Sequence, residues 1–249
     1  SEAIRRSGEA HGMEVRTGVP VEKILVENGR AVGVRLEGGE EIRSKIVIAN
    51  ATARTIFTRL IDPGLLPEDF NRDIANIRCE STVFRVNLAL KSLPDAPVFA
   101  QAARQGGVLP QMTIAPSVAY MERAHRISQE GEMADKPFLI VKVPSMVDPT
   151  LAPPGHHIMN IFGGHAPYTL ATGSWDERRE ELWTNVLKVL KTQFPDIEDH
   201  ILHRQVITPL DLERIFDLPN GHVRRDRRAR AQRGQGHPGR PRKMELSRC

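Results

Sequence analysis

Residues 20–51 read PVEKILVENGRAVGVRLEGGEEIRSKIVIANA and decide the fold. β-Branched residues recur in Val21–Val26 and Ala31–Leu36, on either side of Asn28-Gly29, which supplies the positive φ angles of a tight hairpin. A second glycine pair, Gly38-Gly39, then returns the chain as a third short strand. The stretch therefore predicts a three-stranded β-meander.

A buried strand is predicted directly after the meander. Ile46-Val47-Ile48-Ala49 has no polar position, which is typical of a strand covered on both faces within a larger sheet. The strand, glycine turn and helix that should come before it are not among residues 1–12, which read only as helix. We therefore expect the chain to be a piece of a larger fold.

Composition restricts the class of protein. The 249 residues are 40% hydrophobic, enough for a substantial core in one or two domains. Apolar runs fall far short of the roughly 20 residues that cross a bilayer, and the opening SEAIRRSGEA is no secretory signal. The two cysteines, Cys79 and Cys249, are too few for a disulfide framework and fit a reducing compartment. We expect the cytoplasm of a bacterium or the mitochondrial matrix.

The positive charge is concentrated in the last 29 residues. Residues 221–249 hold 10 of the 35 Lys and Arg but only Asp226 and Glu245, so the remaining 220 residues carry 25 cations against 29 anions. Residues 223–249 lack aromatic side chains, and we expect them to be disordered. A nucleic-acid-binding arm is one interpretation. We favour a solvated terminus, because the residues that stack on bases are missing.

Residues 52–222 show a mixed α and β pattern. Strand 82–90 alternates inward apolar residues with Arg85 and Asn87, which gives it one solvated face. Ser174 with Glu177 forms a capping box that starts an amphipathic helix ending before Pro195. The row that recurs at three- and four-residue steps on this helix consists of Arg179, Leu182, Trp183, Val186, Leu187, Leu190 and Phe194. The full prediction comprises helices over 52–61, 67–77, 117–129, 174–194 and 208–218, and strands over 82–90, 138–144, 158–162 and 201–207.

Few side chains indicate chemistry. No third ligand is fixed by the spacing of the histidines, so we predict no metal site; they are His156, His157, His165, His200 and His203. Asp148 precedes a proline and is interpreted as a turn residue rather than an acid or base. Core packing is favoured over pocket lining for the aromatic candidates, which are Tyr120, Phe162, Tyr168, Trp175 and Trp183. The GxGxxG match at 234–239 is rejected, because no apolar strand precedes it and Pro238 blocks the helix.

Several ordered segments together resemble the phytoene-desaturase-like FAD-dependent oxidoreductases, relatives of the amine oxidases. The resemblance covers residues 1–222 and is more specific than any single motif. The segments are EVRTG at 14–18, VEKIL at 21–25, GRAVGV at 29–34, IVIANA at 46–51, DPTLAPPGHH at 148–157, APY at 166–168 and TPLDLERIF at 208–216.

The resemblance implies an α/β (α+β mixed) fold in which an FAD-binding domain of Rossmann type adjoins a substrate domain built on a mixed sheet. Residues 1–51 would form part of the FAD-binding domain and residues 52–207 the substrate domain. Residues 208–222 would return toward the FAD-binding domain, and 223–249 would be the tail. The backbone beside Val21 would meet the adenine, and the turn Ala49-Asn50-Ala51 would lie near the adenosine.

In such enzymes FAD accepts hydride from an apolar or amine-like substrate. No catalytic residue can be assigned from the sequence. The pyrophosphate-binding turn and the glycine-rich carboxyl-terminal return of the family are missing, so we expect no activity from this chain alone. The alternative is a nonenzymatic interaction module with a basic nucleic-acid-binding arm. We expect an apolar small-molecule substrate as partner and no nucleic acid; self-association is left open. Unpaired strand edges predict poor solubility.

Overall fold

The computed structural model describes residues 2–77, 81–104 and 111–222. The predicted disordered tail at 223–249 lies outside the described residues, and so does the rejected GxGxxG match. In the described part of the chain, every helix is too short or too polar to span a bilayer.

The described residues form a mixed α/β structure, as predicted. The strands are β1 (Val21–Glu27), β2 (Arg30–Leu36), β3 (Glu41–Arg43), β4 (Val83–Leu90), β5 (Gln111–Ile114), β6 (Leu139–Lys142), β7 (His157–Gly164) and β8 (Ile201–Ile207). The α-helices are α1 (Glu2–Ala10), α2 (Ala53–Thr55), α3 (Glu68–Ala75), α4 (Pro97–Arg104), α5 (Val118–Gln129), α6 (Trp175–Leu190), α7 (Ile197–His200) and α8 (Pro209–Phe216). A π-helical turn, Ile56–Leu60, continues α2, and short 3₁₀ turns span Pro63–Leu65, Pro144–Met146 and Pro149–Leu151.

The predicted meander is present as a small antiparallel sheet in the order β1-β2-β3. Glu27 pairs with Arg30 across a two-residue turn in which Asn28 and Gly29 have φ angles of 49° and 75°. These left-handed angles suit the twist of a two-residue hairpin. The sequence signal for this hairpin was therefore local and sufficient.

The predicted buried strand at residues 46–49 is wrong. The chain is irregular there, and the exposed fractions of Ile46 and Ile48 are 73% and 92%. A strand exists only where a neighbour accepts its backbone hydrogen bonds, and no described strand lies beside this segment. Instead the Ser44 hydroxyl donates to the Ile46 carbonyl at 2.9 Å, and Ile46 N donates to Ser44 Oγ at 3.3 Å.

A five-stranded antiparallel sheet, ordered β5-β6-β7-β4-β8, forms the centre of residues 81–222. One face carries Phe84, Val86, Leu88 and Leu90 of β4, which are fully buried or nearly so. They pack with apolar residues of α6, whose predicted capping box of Ser174 and Glu177 is present. This face is the core of the molecule.

The predicted domain boundaries after residues 51, 207 and 222 stay predictions, because nothing in the structure tests them. Three of the labelled elements were not predicted at all, namely β5, α4 and α7. Only four residues make up β5, too few for a clear alternation. Trp175 and Trp183 are 3% and 8% exposed, in agreement with the predicted core role.

Candidate functional site

Strand β1 has one edge that no other strand covers in the described residues, because it pairs only with β2. Val21 opens this strand and its exposed fraction is 40%. An uncovered strand edge presents backbone N–H and C=O groups that can bind a planar heterocycle by hydrogen bonds. The predicted adenine contact at Val21 therefore lies at a position open to a ligand.

The predicted adenosine contacts follow the small sheet. Ala49 and Asn50 are exposed and Ala51 is half-buried, in the irregular segment that leads to α2. Because β1 contacts the π-helical turn Ile56–Leu60 that continues α2, this segment and β1 belong to the same part of the molecule. The four residues stay predicted contacts.

A shallow depression lies at the other end of the small sheet. It is lined by Arg30, Ala31, Val32, Arg43, Ser44 and Lys45. Arg43 is paired there with Glu27 at 2.5 Å and with Glu41 at 3.3 Å. The depression adjoins the Asn28-Gly29 hairpin, whereas Val21 lies six residues away along β1, roughly 20 Å. It is therefore not the predicted adenine contact.

The second face of the five-stranded sheet, which we call the open face, is not buried at its centre. Alternation along each strand places these residues on it: Gln111 and Thr113 of β5, Ile140 and Lys142 of β6, Ile158, Asn160 and Phe162 of β7, Arg85, Asn87 and Ala89 of β4, and His203 and Gln205 of β8. All twelve are exposed or half-buried, and none is acidic. The open face therefore presents polar, basic and partly exposed apolar side chains without an acidic one.

Hydrogen bonds between amides fix the centre of the open face. Asn160 Nδ2 donates to Asn87 Oδ1 at 2.9 Å, and Asn87 Nδ2 donates to Gln205 Oε1 at 3.0 Å. Sequence reasoning found Asn87 as a solvated strand position, but nothing in the sequence linked it to Asn160 or Gln205. That link depends on the register of three strands that are distant in sequence.

The candidate histidines contact different groups and do not converge on one site. His200 Nε2 bonds Asp196 at 2.9 Å, and His157 Nδ1 bonds the Ser145 hydroxyl at 3.0 Å. His165 packs edge-on against His125 and Phe138, at ring-centroid distances of 5.6 and 5.3 Å. Among the described residues, no three His, Cys, Asp or Glu side chains are grouped so that they could hold a metal ion.

His165 is unusual because both of its ring nitrogens are buried without a hydrogen-bond partner. Burial, together with the neighbouring His125, lowers the pKa of His165 below its ordinary value, since a charged imidazolium would be poorly solvated there. This imidazole is therefore kept neutral.

The other candidate side chains have structural partners. Asp148 accepts from Thr150 N at 3.0 Å and caps a 3₁₀ turn, which agrees with the turn interpretation. The Tyr120 hydroxyl donates to the Pro137 carbonyl at 2.8 Å. Tyr168 donates to Glu213, and this hydrogen bond raises the pKa of Tyr168 to about 12. Each of these groups is thus engaged with another part of the chain.

An ion pair that sequence reasoning missed joins α6 to α8. Arg179 donates to both carboxylate oxygens of Asp211, at 2.5 and 3.1 Å, and to the Val206 carbonyl at 2.7 Å. The sequence prediction had placed Arg179 in the apolar row of its helix. The pair anchors α8, the start of the predicted return segment, against the end of β8.

Comparison with known proteins identifies the family. The model of the family described as "Flavin containing amine oxidoreductase" matches residues 1–235, nearly the whole chain. The chain belongs to this family. The predicted resemblance is thereby confirmed, and with it the expectation of FAD, since the family contains flavin.

Similar proteins of this family are longer than the chain. A rat protein named "Pyridine nucleotide-disulfide oxidoreductase domain-containing protein 2" is 34% identical over 233 residues, which cover 90% of this chain and 40% of that protein. A Cereibacter sphaeroides "Phytoene desaturase (neurosporene-forming)" is 27% identical, over 83% of this chain and 38% of that protein. The chain thus spans about two fifths of the length of these relatives.

The fold is also shared with a solved structure. The crystal structure of an oxidoreductase from Methanosarcina mazei superposes with a TM-score of 0.55 at 19% identity, over 82% of this chain and 40% of that one. At this identity the match supports the fold alone. For a flavin-containing protein, the uncovered edge of β1 leaves the predicted adenine contact accessible, and the described residues contain no glycine-rich pyrophosphate turn.

Proposed function

We propose that the chain is part of an FAD-dependent oxidoreductase that transfers hydride from an apolar or amine-like substrate to flavin. The observation that carries this proposal is the family match over residues 1–235, together with a β-meander followed by a sheet with one uncovered face. FAD, when bound, supplies the hydride acceptor. The whole protein's activity is inferred for a molecule longer than this chain.

The chain's own residues supply binding and orientation in this proposal. The backbone of β1 beside Val21 receives the adenine, and residues 49–51 lie along the adenosine. The open face of the five-stranded sheet contacts the substrate and orients it. No described side chain is needed as an acid or base, because a hydride transfer from carbon needs alignment and exclusion of water above all.

Flavin binding by the purified chain tests the proposal. Oxidised flavin absorbs at about 450 nm, so a yellow protein, or a colourless one that binds added FAD, supports it. Val21→Glu should weaken FAD binding about tenfold, because it sets a carboxylate beside the adenine and near the phosphates. The matched control is Ile42→Glu on β3, the opposite edge of the small sheet, where the exposed fraction is 37% against 40% for Val21.

Equal effects of the two substitutions would contradict the predicted adenine contact. A chain that binds no FAD at all, but binds RNA in a strongly salt-dependent manner, would instead support the interaction module with a basic arm. Both measurements use one preparation of the same chain.

A further inference from the structure

A continuous row of polar side chains crosses the open face from one edge of the sheet to the other. The strand registers pair its members in succession. We call this the polar row, and it consists of Gln111, Lys142, Asn160, Asn87 and Gln205. Because paired residues on one face have their Cβ atoms about 5 Å apart, the row is continuous across five strands.

Apolar side chains flank the polar row on both sides. Ile140 pairs with Phe162 on one side, and Ile158 pairs with Ala89 on the other. All four are half-buried. The polar row therefore lies between two apolar pairs, whose rows continue into Thr113 and Arg85 on one side and into His203 on the other.

Two cations lie on this face without ionic partners. Among the described residues, neither Arg85 nor Lys142 forms an ion pair. The Arg85 guanidinium lies over the Phe162 ring, 5.5 Å from its centroid, so it is held along the sheet. Arg85 and Lys142 are separated by two strand spacings across the sheet and by two residues along it, so their Cα atoms lie roughly 12 Å apart. Their long side chains can therefore both reach one anion between them.

The amides of the polar row are held ready for a ligand. The bonds from Asn160 to Asn87 and from Asn87 to Gln205 use one hydrogen of each donating amide. In the described part of the chain, the second Nδ2 hydrogens of Asn160 and Asn87 make no hydrogen bond, and neither do the side-chain amide hydrogens of Gln205. These groups and the two cations are all donors, so they complement an acceptor-rich, negatively charged group.

We propose that the open face binds an amphipathic organic anion, with a carboxylate between Arg85 and Lys142 over the polar row and an aliphatic chain along Ile140 and Phe162. This inference rests on the proposed function and narrows its substrate class: it excludes an amine and requires that the apolar substrate carry an anionic group. A pure hydrocarbon would bury the cations and amides without partners, and an amine would meet two like charges. Charge complementarity therefore selects an apolar chain that carries an anionic group.

Three probes that share a ten-carbon chain and differ in the head group test this inference. Binding of decanoate, decan-1-ol and decylammonium to the chain is measured by calorimetry below the micelle-forming concentration, at low and high salt. Decanoate should bind about tenfold tighter than either of the others, and salt should reduce this preference. Equal binding of the three probes would overturn the proposal.

Charge-removing variants locate the site. Arg85→Gln and Lys142→Gln should each weaken decanoate binding about fivefold, as expected for partly exposed charge pairs. The matched control is Lys188→Gln on α6, an exposed cation of the helix that packs against the buried face of the sheet. If this control weakens binding as much as the test variants do, the anion is attracted by net charge and the site is refuted.

FAD titration of the same variants separates this inference from the proposed function. If the chain binds FAD but shows no preference among the probes, the substrate class is wrong and the oxidoreductase proposal stands. If decanoate binds as predicted and FAD does not bind, the open face is a binding surface and the oxidoreductase proposal fails.

Discussion

Replacing Asp211 by asparagine tests whether one ion pair holds α8 against α6. The carboxylate accepts two hydrogen bonds from Arg179, one from Thr208 N at 2.9 Å and one from Thr208 Oγ1 at 2.8 Å. Asparagine keeps the shape of the aspartate side chain and one oxygen that can accept the hydrogen bonds of the helix cap from Thr208. It also removes the charge and turns an amide hydrogen toward the guanidinium.

The cost follows from the burial of the two partners. The Asp211 side chain is 11% exposed and that of Arg179 is 31% exposed. Breaking a fully buried pair costs about 3–5 kcal/mol, whereas an exposed pair contributes less than about 1 kcal/mol. Since water reaches Arg179, we expect Asp211→Asn to lower the free energy of unfolding by about 2 kcal/mol, an intermediate value.

A double-mutant cycle isolates the pair. Arg179→Met keeps the aliphatic stem and should cost about 1.5 kcal/mol, while the double variant should cost about 2 kcal/mol rather than the sum. Urea unfolding is followed by the fluorescence of Trp175 and Trp183, both in α6. Arg214→Met serves as control, because the Arg214–Asp176 pair joins the same two helices with both side chains 52% exposed, and its loss should have little effect.

Protonation gives a second readout of the same pair. Burial alone would raise the pKa of Asp211, but hydrogen bonds from Arg179 and Thr208 outweigh it, so the pKa lies below its ordinary value. The contribution is complete above about pH 4 and is lost as the pH falls through the lowered pKa. The gap between parent and Asp211→Asn should therefore close in acid. A coupling energy below about 0.5 kcal/mol, or a gap that persists in acid, would refute this reasoning.

Three further predictions concern other parts of the fold. Gly163→Ala should lower the free energy of unfolding by about 1–3 kcal/mol, because the added methyl overlaps the buried Phe84 ring. The double variant with Phe84→Leu should recover part of this loss, as measured by urea unfolding. His165 should titrate in NMR below the ordinary histidine pKa of about 6.5, so the free energy of unfolding should fall as the pH drops below that value. His165→Asn should abolish this pH dependence, and asparagine tolerates the φ of 64° at this position. Ile46→Lys with Ile48→Lys should raise solubility and change stability by less than about 0.5 kcal/mol; a larger loss in urea unfolding would show that these side chains are packed.

Elements with strong local signals were predictable from the sequence. The Asn28-Gly29 turn fixed the first hairpin, the capping box at Ser174 marked the start of α6, and Thr208-Pro209 with Asp211 marked the start of α8. Each of these signals lies within four residues of chain, so no tertiary contact was needed to recognise it. The apolar residues of α6 likewise recur at helical spacing, and they are buried where predicted.

Two features that depend on distant partners were predicted wrongly or missed. Residues 46–49 have the composition of a buried strand but no strand beside them in the described residues, so composition alone gave the wrong result. The Arg179–Asp211 pair joins residues 32 positions apart, and helical periodicity placed Arg179 on an apolar face. In both cases the missing information was which segment would come to lie alongside.

The open face illustrates the same limit most clearly, because its chemistry exists only in the register of five strands. A shift of one residue in the pairing of β4 with β7 would set Asn87 opposite a core residue such as Met159 or Ile161 instead of Asn160. Burying that amide in the core without a partner would cost free energy, so the polar row and the core each favour the same register. The polar row thus helps to specify the fold as well as the proposed ligand. For this reason the charge-removing variants are placed at Arg85 and Lys142, which carry the charge of the open face but take no part in the amide bonds.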